Sequence, residues 1–111
     1  MDVTSAFLNG TLKETIYMQQ PKGFEEQGRE KWVWKLKKAL YGLKQGGCEW
    51  YNCINNFFTK SIGLIHTFAD HSIYIYETKH SIVMVPLYVD DLLIGYDDEV
   101  EMKCIKSTLE S

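Results

Sequence analysis

The chain has 111 residues, the length of one small domain, so two packed domains are excluded. With 45% apolar, 14% aromatic and 24% charged residues it is composed as a globular protein and not as a disordered tail, and at this length it is expected to bury on the order of two thirds of its unfolded surface around one core. A net charge of −3 argues weakly against a nucleic-acid binder; no apolar run is long enough for a membrane helix, and no basic start followed by a greasy stretch marks a secretory signal.

In chain order, Asp2 to Gly10 is too short to declare an element, although Leu8-Asn9-Gly10 reads as a turn. Ile16 to Gln19 suits a short strand closed by Pro21 and Gly23. Trp32 to Leu36 alternates Trp32, Trp34 and Leu36 against Val33 and Lys35, the period of a strand. Tyr41-Gly42-Leu43 and Gly46-Gly47 are expected to break the chain twice. From Cys48 to Ile62, apolar residues at Trp50, Cys53, Ile54, Phe57, Phe58 and Ile62 form a helical stripe, and Gly63 sits where a helix ends. Ser72 to Glu77 and Ser81 to Val89 pattern as two strands joined by a hairpin at Thr78-Lys79-His80, and Leu92 to Gly95 as another strand. From Asp97 the tail opens with acids, as helix starts do, and places Met102, Ile105 and Leu109 on one face. The mixed order implies an α+β fold.

Charge is unevenly placed. Arg29 to Lys44 holds Arg29, Lys31, Lys35, Lys37, Lys38 and Lys44 against Glu30 alone, interleaved with Trp32, Trp34 and Tyr41, which is one way to hold phosphates and stack bases. Taken alone, Lys35, Lys37 and Lys38 are more simply the solvated side of a half-buried strand or helix. The three cysteines form no Cys-x-x-Cys pair, so a reducing, intracellular compartment is the economical expectation.

Tyr88-Val89-Asp90-Asp91-Leu92 sets two carboxylates between apolar strands. Neighbouring side chains of a strand point to opposite faces, so the two acids share one site only if the backbone turns between or beside them. Two crowded anions repel, and a hard divalent cation such as Mg²⁺ relieves that cost; a third carboxylate would complete a two-metal phosphoryl-transfer site. An Asp-Asp pair used only as a polar turn is the simpler alternative for an isolated dipeptide.

The pair is not isolated. Met1-Asp2-Val3-Thr4-Ser5-Ala6-Phe7-Leu8-Asn9-Gly10, Ile16-Tyr17-Met18-Gln19-Gln20-Pro21-Lys22-Gly23-Phe24, Leu36-Lys37-Lys38-Ala39-Leu40-Tyr41-Gly42-Leu43-Lys44-Gln45 and Tyr88-Val89-Asp90-Asp91 follow one another in an order that closely resembles the reverse transcriptase of copia-type LTR retrotransposons, over essentially the whole chain. The resemblance implies a truncated polymerase palm, a ferredoxin-like antiparallel sheet backed by helices, forming a single partial domain over 1–111. It implies that Asp2 and Asp90 are catalytic ligands of two Mg²⁺ ions, with Asp91 a supporting acid and further ligand. It places Phe7 beneath the incoming sugar, Gln45 against the nucleotide and template, and Lys35, Lys37, Lys38 and Lys44 along nucleic acid. The implied partners are an RNA or DNA template-primer and a deoxynucleoside triphosphate, in a cytoplasmic retroelement particle.

The sequence departs from the pattern in two places and is short of it at both ends. Cys48, in Gly46-Gly47-Cys48-Glu49-Trp50, stands where the family carries an arginine, and Pro86 lies inside a predicted strand, where a missing N–H is expected only at an edge or bulge. The strand leading to Asp2, the fingers, thumb and RNase H regions lie outside the 111 residues, so the chain is expected to be inactive alone. A non-catalytic nucleic-acid binder using the basic stretch, and a fragment that self-associates through an open sheet edge, are the competing expectations.

Overall fold

The computed structural model describes residues 1–111. Seven strands and two helices make an α+β arrangement in which every strand pair is antiparallel. A 3₁₀ turn at Ala6–Asn9 is followed by a two-stranded ribbon, β1 (Tyr17–Gln19) and β2 (Val33–Lys35), then α1 (Gly46–Asn56), which continues as a π turn over Phe57–Ile62. The sheet follows: β3 (Ile65–His66), β4 (Ile73–Glu77), β5 (Ile82–Tyr88), β6 (Asp91–Leu92) and β7 (Gly95–Tyr96), with α2 (Glu99–Glu110) closing the chain.

Helix α1 begins two residues earlier than the sequence predicts. Gly46 and Gly47 open it instead of breaking the chain; Gly46 is buried, and a Cβ there would meet the Leu40 carbonyl oxygen at 3.0 Å and the Phe7 ring at 3.1 Å. The predicted stripe is correct at Trp50, Ile54 and Phe58, which are buried, but Cys53 is exposed. The helix ends at Gly63, whose φ of 83° is the left-handed closure that glycine adopts without strain. α2 is capped by Asp98, whose carboxylate accepts from the Val100 and Glu101 amides, and it buries Ile105.

The sheet runs β3-β4-β5, with β6 and β7 both on the far side of β5. β4 turns its Tyr74 face to the core and its Ile73 and Ile75 face away, and β5 buries Val83, Val85 and Leu87 in alternation. These side chains meet Trp50, Ile54 and Phe58 from α1 and its π turn, with Phe58 edge-on to Tyr74 at 4.8 Å.

Leu92 to Gly95 is not one strand. Leu87 opposes Leu92 and Met84 opposes Gly95, the same register on one line, yet the ladder breaks between them. Pro86 is the cause: the Leu93 amide donates to the Pro86 carbonyl at 3.1 Å, and proline has no N–H to return. Contrary to expectation, Pro86 lies between two neighbours and not at an edge; it pairs with Ile73 on β4, where no donor is asked of it, and interrupts the ladder on the other side.

The larger difference is in shape. The radius of gyration is 18.2 Å and the extents are 64 × 25 × 19 Å, against about 13 Å for a compact chain of this length. Only 15 of 111 residues are buried. From the Thr11–Lys38 bridge outward, the chain forms an arm in which Tyr17 opposes Lys35 and Gln19 opposes Val33. Trp32, Val33 and Trp34 alternate as predicted but are all exposed, so β2 is not half-buried.

Candidate active site

The acidic turn is the tip of the β5–β6 hairpin. Tyr88 opposes Asp91, leaving Val89 and Asp90 as the two-residue loop. Val89 has a φ of 57°, in the left-handed region that a β-branched residue rarely enters. The turn therefore supplies the bend that brings adjacent acids to one end of the sheet: Asp90 at the loop, half-buried, and Asp91 at the first position of β6, exposed.

Asp2 is joined to this turn through the backbone. It forms an antiparallel bridge with Asp91, flanked by the Val3 amide donating to the Asp90 carbonyl at 2.8 Å and the Leu92 amide donating to the Met1 carbonyl at 2.7 Å. Directly opposed residues of an antiparallel pair project on the same face. Asp2 and Asp91 accordingly line one open cleft of about 780 Å³ with Asp70, Ile73, Pro86 and Tyr88. Asp90 lies outside this cleft; its carboxylate instead accepts from the Tyr41 hydroxyl at 3.4 Å.

In the sequence Tyr41 reads as an aromatic among lysines, at a chain break and within the run shared with the family, but with no role at the acids. Its ring is tilted against Phe7 with centroids 4.4 Å apart. Desolvation, then the charge of Asp90 and its hydrogen bond, and last the charge of Asp2, raise the phenol above its ordinary pKa against the lowering effect of a backbone hydrogen bond at Phe7. Tyr41 thus lies within electrostatic reach of both acids. The signal in the sequence was Gly42, whose φ of 90° turns the chain immediately after Tyr41.

Phe7 packs between Tyr41 and the start of α1, and lines a cavity of about 220 Å³ with Gly47, Trp50, Tyr51, Leu87 and Val89. Gln45 precedes α1 without capping it and donates from Nε2 to the Glu14 carboxylate at 3.0 Å, which ties the base of the arm to the body. Lys35, Lys37, Lys38 and Lys44 are exposed and none is in an ion pair. Lys38 lies in the Thr11 bridge and Lys44 just before Gln45, so these two bracket the segment that carries Tyr41 to Asp90. Asp70 fixes the turn before β4: its carboxylate accepts from the Ser72 amide at 2.8 Å, and this bond, ahead of one from the Ser72 hydroxyl and the charge of His71, lowers its pKa against the opposing effect of desolvation.

As a cation site, the donor chemistry suits Mg²⁺, since Asp2, Asp90 and Asp91 offer only hard carboxylate oxygens at neighbouring backbone positions. The side chains are not gathered, however: nowhere do three His, Cys, Asp or Glu residues form a metal-holding group. The backbone assembles the acids: Asp2 and Asp91 line the cleft, and the Asp90 carboxylate is engaged by Tyr41.

The α+β fold thus brings a distant aspartate beside the Tyr-Val-Asp-Asp turn. Comparison with known families fixes the class: residues 1–111 match the family described as reverse transcriptase (RNA-dependent DNA polymerase), and the chain belongs to it. Its relatives are copia/Ty1-type retrotransposon Pol polyproteins. It is similar to the retrovirus-related Pol polyprotein from transposon RE1 of Arabidopsis thaliana, 44% identical over 88% of this chain and 7% of that one. The corresponding polyprotein from transposon TNT 1-94 of Nicotiana tabacum is 41% identical over 98% of this chain and 8% of its own length. A truncated transposon Ty1-A Gag-Pol polyprotein of Saccharomyces cerevisiae is 33% identical over 99% and 9%. The chain thus spans less than a tenth of these relatives. No solved structure matches it, and no helix is long and apolar enough to cross a membrane.

Proposed function

We propose that this chain carries the acidic centre of a retrotransposon reverse transcriptase palm, with Asp2, Asp90 and Asp91 as the carboxylates that hold Mg²⁺ for nucleotidyl transfer to a primer 3′-hydroxyl. The family generally uses Mg²⁺. The observation that carries the reading is the Asp2–Asp91 bridge, which joins an aspartate from the first turn of the chain to the Tyr-Val-Asp-Asp turn across most of the sequence.

Bound there, Mg²⁺ supplies charge stabilisation to a transferring phosphoryl group. The chain's own residues supply the rest. The bridge and the Val3–Asp90 bond hold the three acids at one end of the sheet. Phe7, stiffened by Tyr41 and the start of α1, offers an apolar surface beside them for a sugar. Gln45 serves the nucleotide only by releasing Glu14. Lys35, Lys37, Lys38 and Lys44, with no carboxylate to neutralise them, follow the phosphates of a template-primer. The 111 residues act as a partial ferredoxin-like palm, without activity alone, in a polyprotein working inside a cytoplasmic particle.

The test is a Mg²⁺ titration of the full chain followed by amide NMR. Shifts centred on Asp2, Asp90 and Asp91, and a fall in affinity of about tenfold or more in Asp90→Asn, equivalent to about 1.4 kcal/mol, are expected. Titration with no response at these three amides overturns the reading.

The exposed arm favours a second reading, a nucleic-acid module independent of the acids, because Trp34 stands in solvent, and Trp32 lies exposed under the Arg29 guanidinium at 4.6 Å, beside unpaired lysines. Binding of single-stranded RNA that weakens steeply with salt and ignores both Mg²⁺ and Asp90→Asn would support it.

A further inference from the structure

At the acidic turn the backbone adopts a conformation that its sequence resists. Val89 sits at φ 57°, and a β-branched residue keeps such a conformation only where its surroundings over-determine it. The decisive neighbour is Trp50, whose indole N–H donates to the Val89 carbonyl at 2.7 Å across 39 residues of sequence. The need is mutual. Trp50 is 4% exposed, so its one polar atom requires an acceptor, and the turn requires a hold.

The geometry of that bond reaches the acids. The Val89 carbonyl belongs to the planar peptide group joining Val89 to Asp90, so fixing its oxygen restrains ψ of Val89 and φ of Asp90. Those are the rotations that aim the Asp90 side chain, while the Asp90 carbonyl on the next peptide is held by Val3. We infer that Trp50 is the positioning residue of the acidic turn: its indole N–H holds Val89 in the left-handed conformation and thereby sets the direction in which Asp90 and Asp91 are presented. This rests on the reading of those acids as the working carboxylates and adds the residue that aims them. A packing tryptophan on a helical stripe has no such duty; the assignment depends on the N–H and not on the ring.

Hydrogen exchange on the full chain separates the two. Trp50→Phe keeps an aromatic ring and removes the donor. The Val3 and Leu92 amides, which bond across the turn to Asp90 and Met1, should exchange about tenfold faster, as the loss of one hydrogen bond permits. Tyr74 and Val85, opposed in the middle of β4 and β5, should keep their rates. Val89→Gly, which enters the left-handed region freely, should make the hold dispensable, so that adding Trp50→Phe to it changes exchange at Val3 and Leu92 by less than about twofold. A Trp50→Phe chain that folds only in the Val89→Gly background supports the inference equally. Unchanged exchange, an equal effect in both backgrounds, acceleration spread through α1 and the sheet, or failure to fold in both backgrounds leaves Trp50 a packing role and overturns it. Mg²⁺ added to the same samples reports on the cation reading separately: silence at Asp90 and Asp91 sinks that reading and leaves the exchange result standing.

Discussion

Trp34 and Trp50 both lie on correctly predicted apolar patterns, one on a strand alternation and the other on a helical stripe, yet Trp34 is 43% exposed and Trp50 4%. The arm and the body differ in the same way throughout. In the body, β4 and β5 present alternate side chains to a helix, and eleven buried residues form a single cluster. In the arm, β1 and β2 pair only with each other, and no second layer covers either face. Charge divides along the same line. Residues 12–38 carry seven basic and four acidic residues, and the remainder carries five basic and eleven acidic. Periodicity decides which face of a strand is apolar; only a partner layer decides whether that face is dry.

This contrast can be broken in order of expected effect. Phe58 is fully buried against Tyr74 and Leu64, so Phe58→Ala should cost about 3 to 5 kcal/mol in urea denaturation, enough to unfold a marginal domain. Excising the arm between Thr11 and Lys38 and closing the gap with Asn-Gly should instead leave the body's melting curve nearly in place, because an opposed antiparallel pair is spaced for a two-residue turn. A body that unfolds without the arm would show that the two regions share stability although the core lies in the body alone.

Much of this was legible beforehand, for identifiable reasons. The α1 stripe, Gly63 and the acidic start of α2 are local signals, readable from spacing and capping chemistry alone. The Thr78 to Ser81 hairpin was likewise local, closed by the Thr78 amide on the Ser81 carbonyl. What was missed depends on partners distant in sequence. Gly46 and Gly47 read as breakers because Phe7, which packs on Gly46, is 39 residues upstream. The acidic turn was legible as a set of residue types, but the bonds that tie it to Asp2, Tyr41 and Trp50 were not. Nothing in Leu40-Tyr41-Gly42 announces a hydroxyl aimed at Asp90, and nothing in a helical stripe distinguishes a tryptophan that fills space from one whose N–H holds a strained turn.

A smaller effect is expected where β6 and β7 are parted. Pro86→Val restores the donor that Leu93 lacks, and it asks nothing new of β4, because Pro86 faces Ile73 at a pair that needs no N–H there. One added ladder bond should stabilise the chain by about 0.5 to 1.5 kcal/mol and join β6 to β7, seen as slower exchange at Leu93 to Gly95. A destabilised Pro86→Val would mean that the kink relieves strain in β5, and that the break in the ladder is a cost the fold accepts for a better-placed turn.

The smallest effect is at Asp70, and its sign follows from the direction of the pKa shift. The Ser72 amide and hydroxyl stabilise the ionised carboxylate, so its folded pKa lies below the unfolded value of about 3.9. Its contribution is therefore fully present above about pH 4 and is lost as pH falls through the folded pKa. Asp70→Asn removes the charge-assisted part of the bond while keeping an oxygen acceptor for Ser72. Thermal melts of the two proteins should differ by a constant small amount from neutral pH down to about pH 4, then converge in more acid solution. Because the carboxylate is exposed, the effect should be confined to the β3–β4 turn, with faster exchange at Ser72 and Ile73. A difference that persists undiminished in acid would mean that Asp70→Asn acts through something other than charge; no difference at any pH would mean that the turn is held by the Thr67 hydroxyl, which donates to the Asp70 carbonyl at 2.7 Å and accepts from the Asp70 amide at 3.1 Å, and not by the carboxylate.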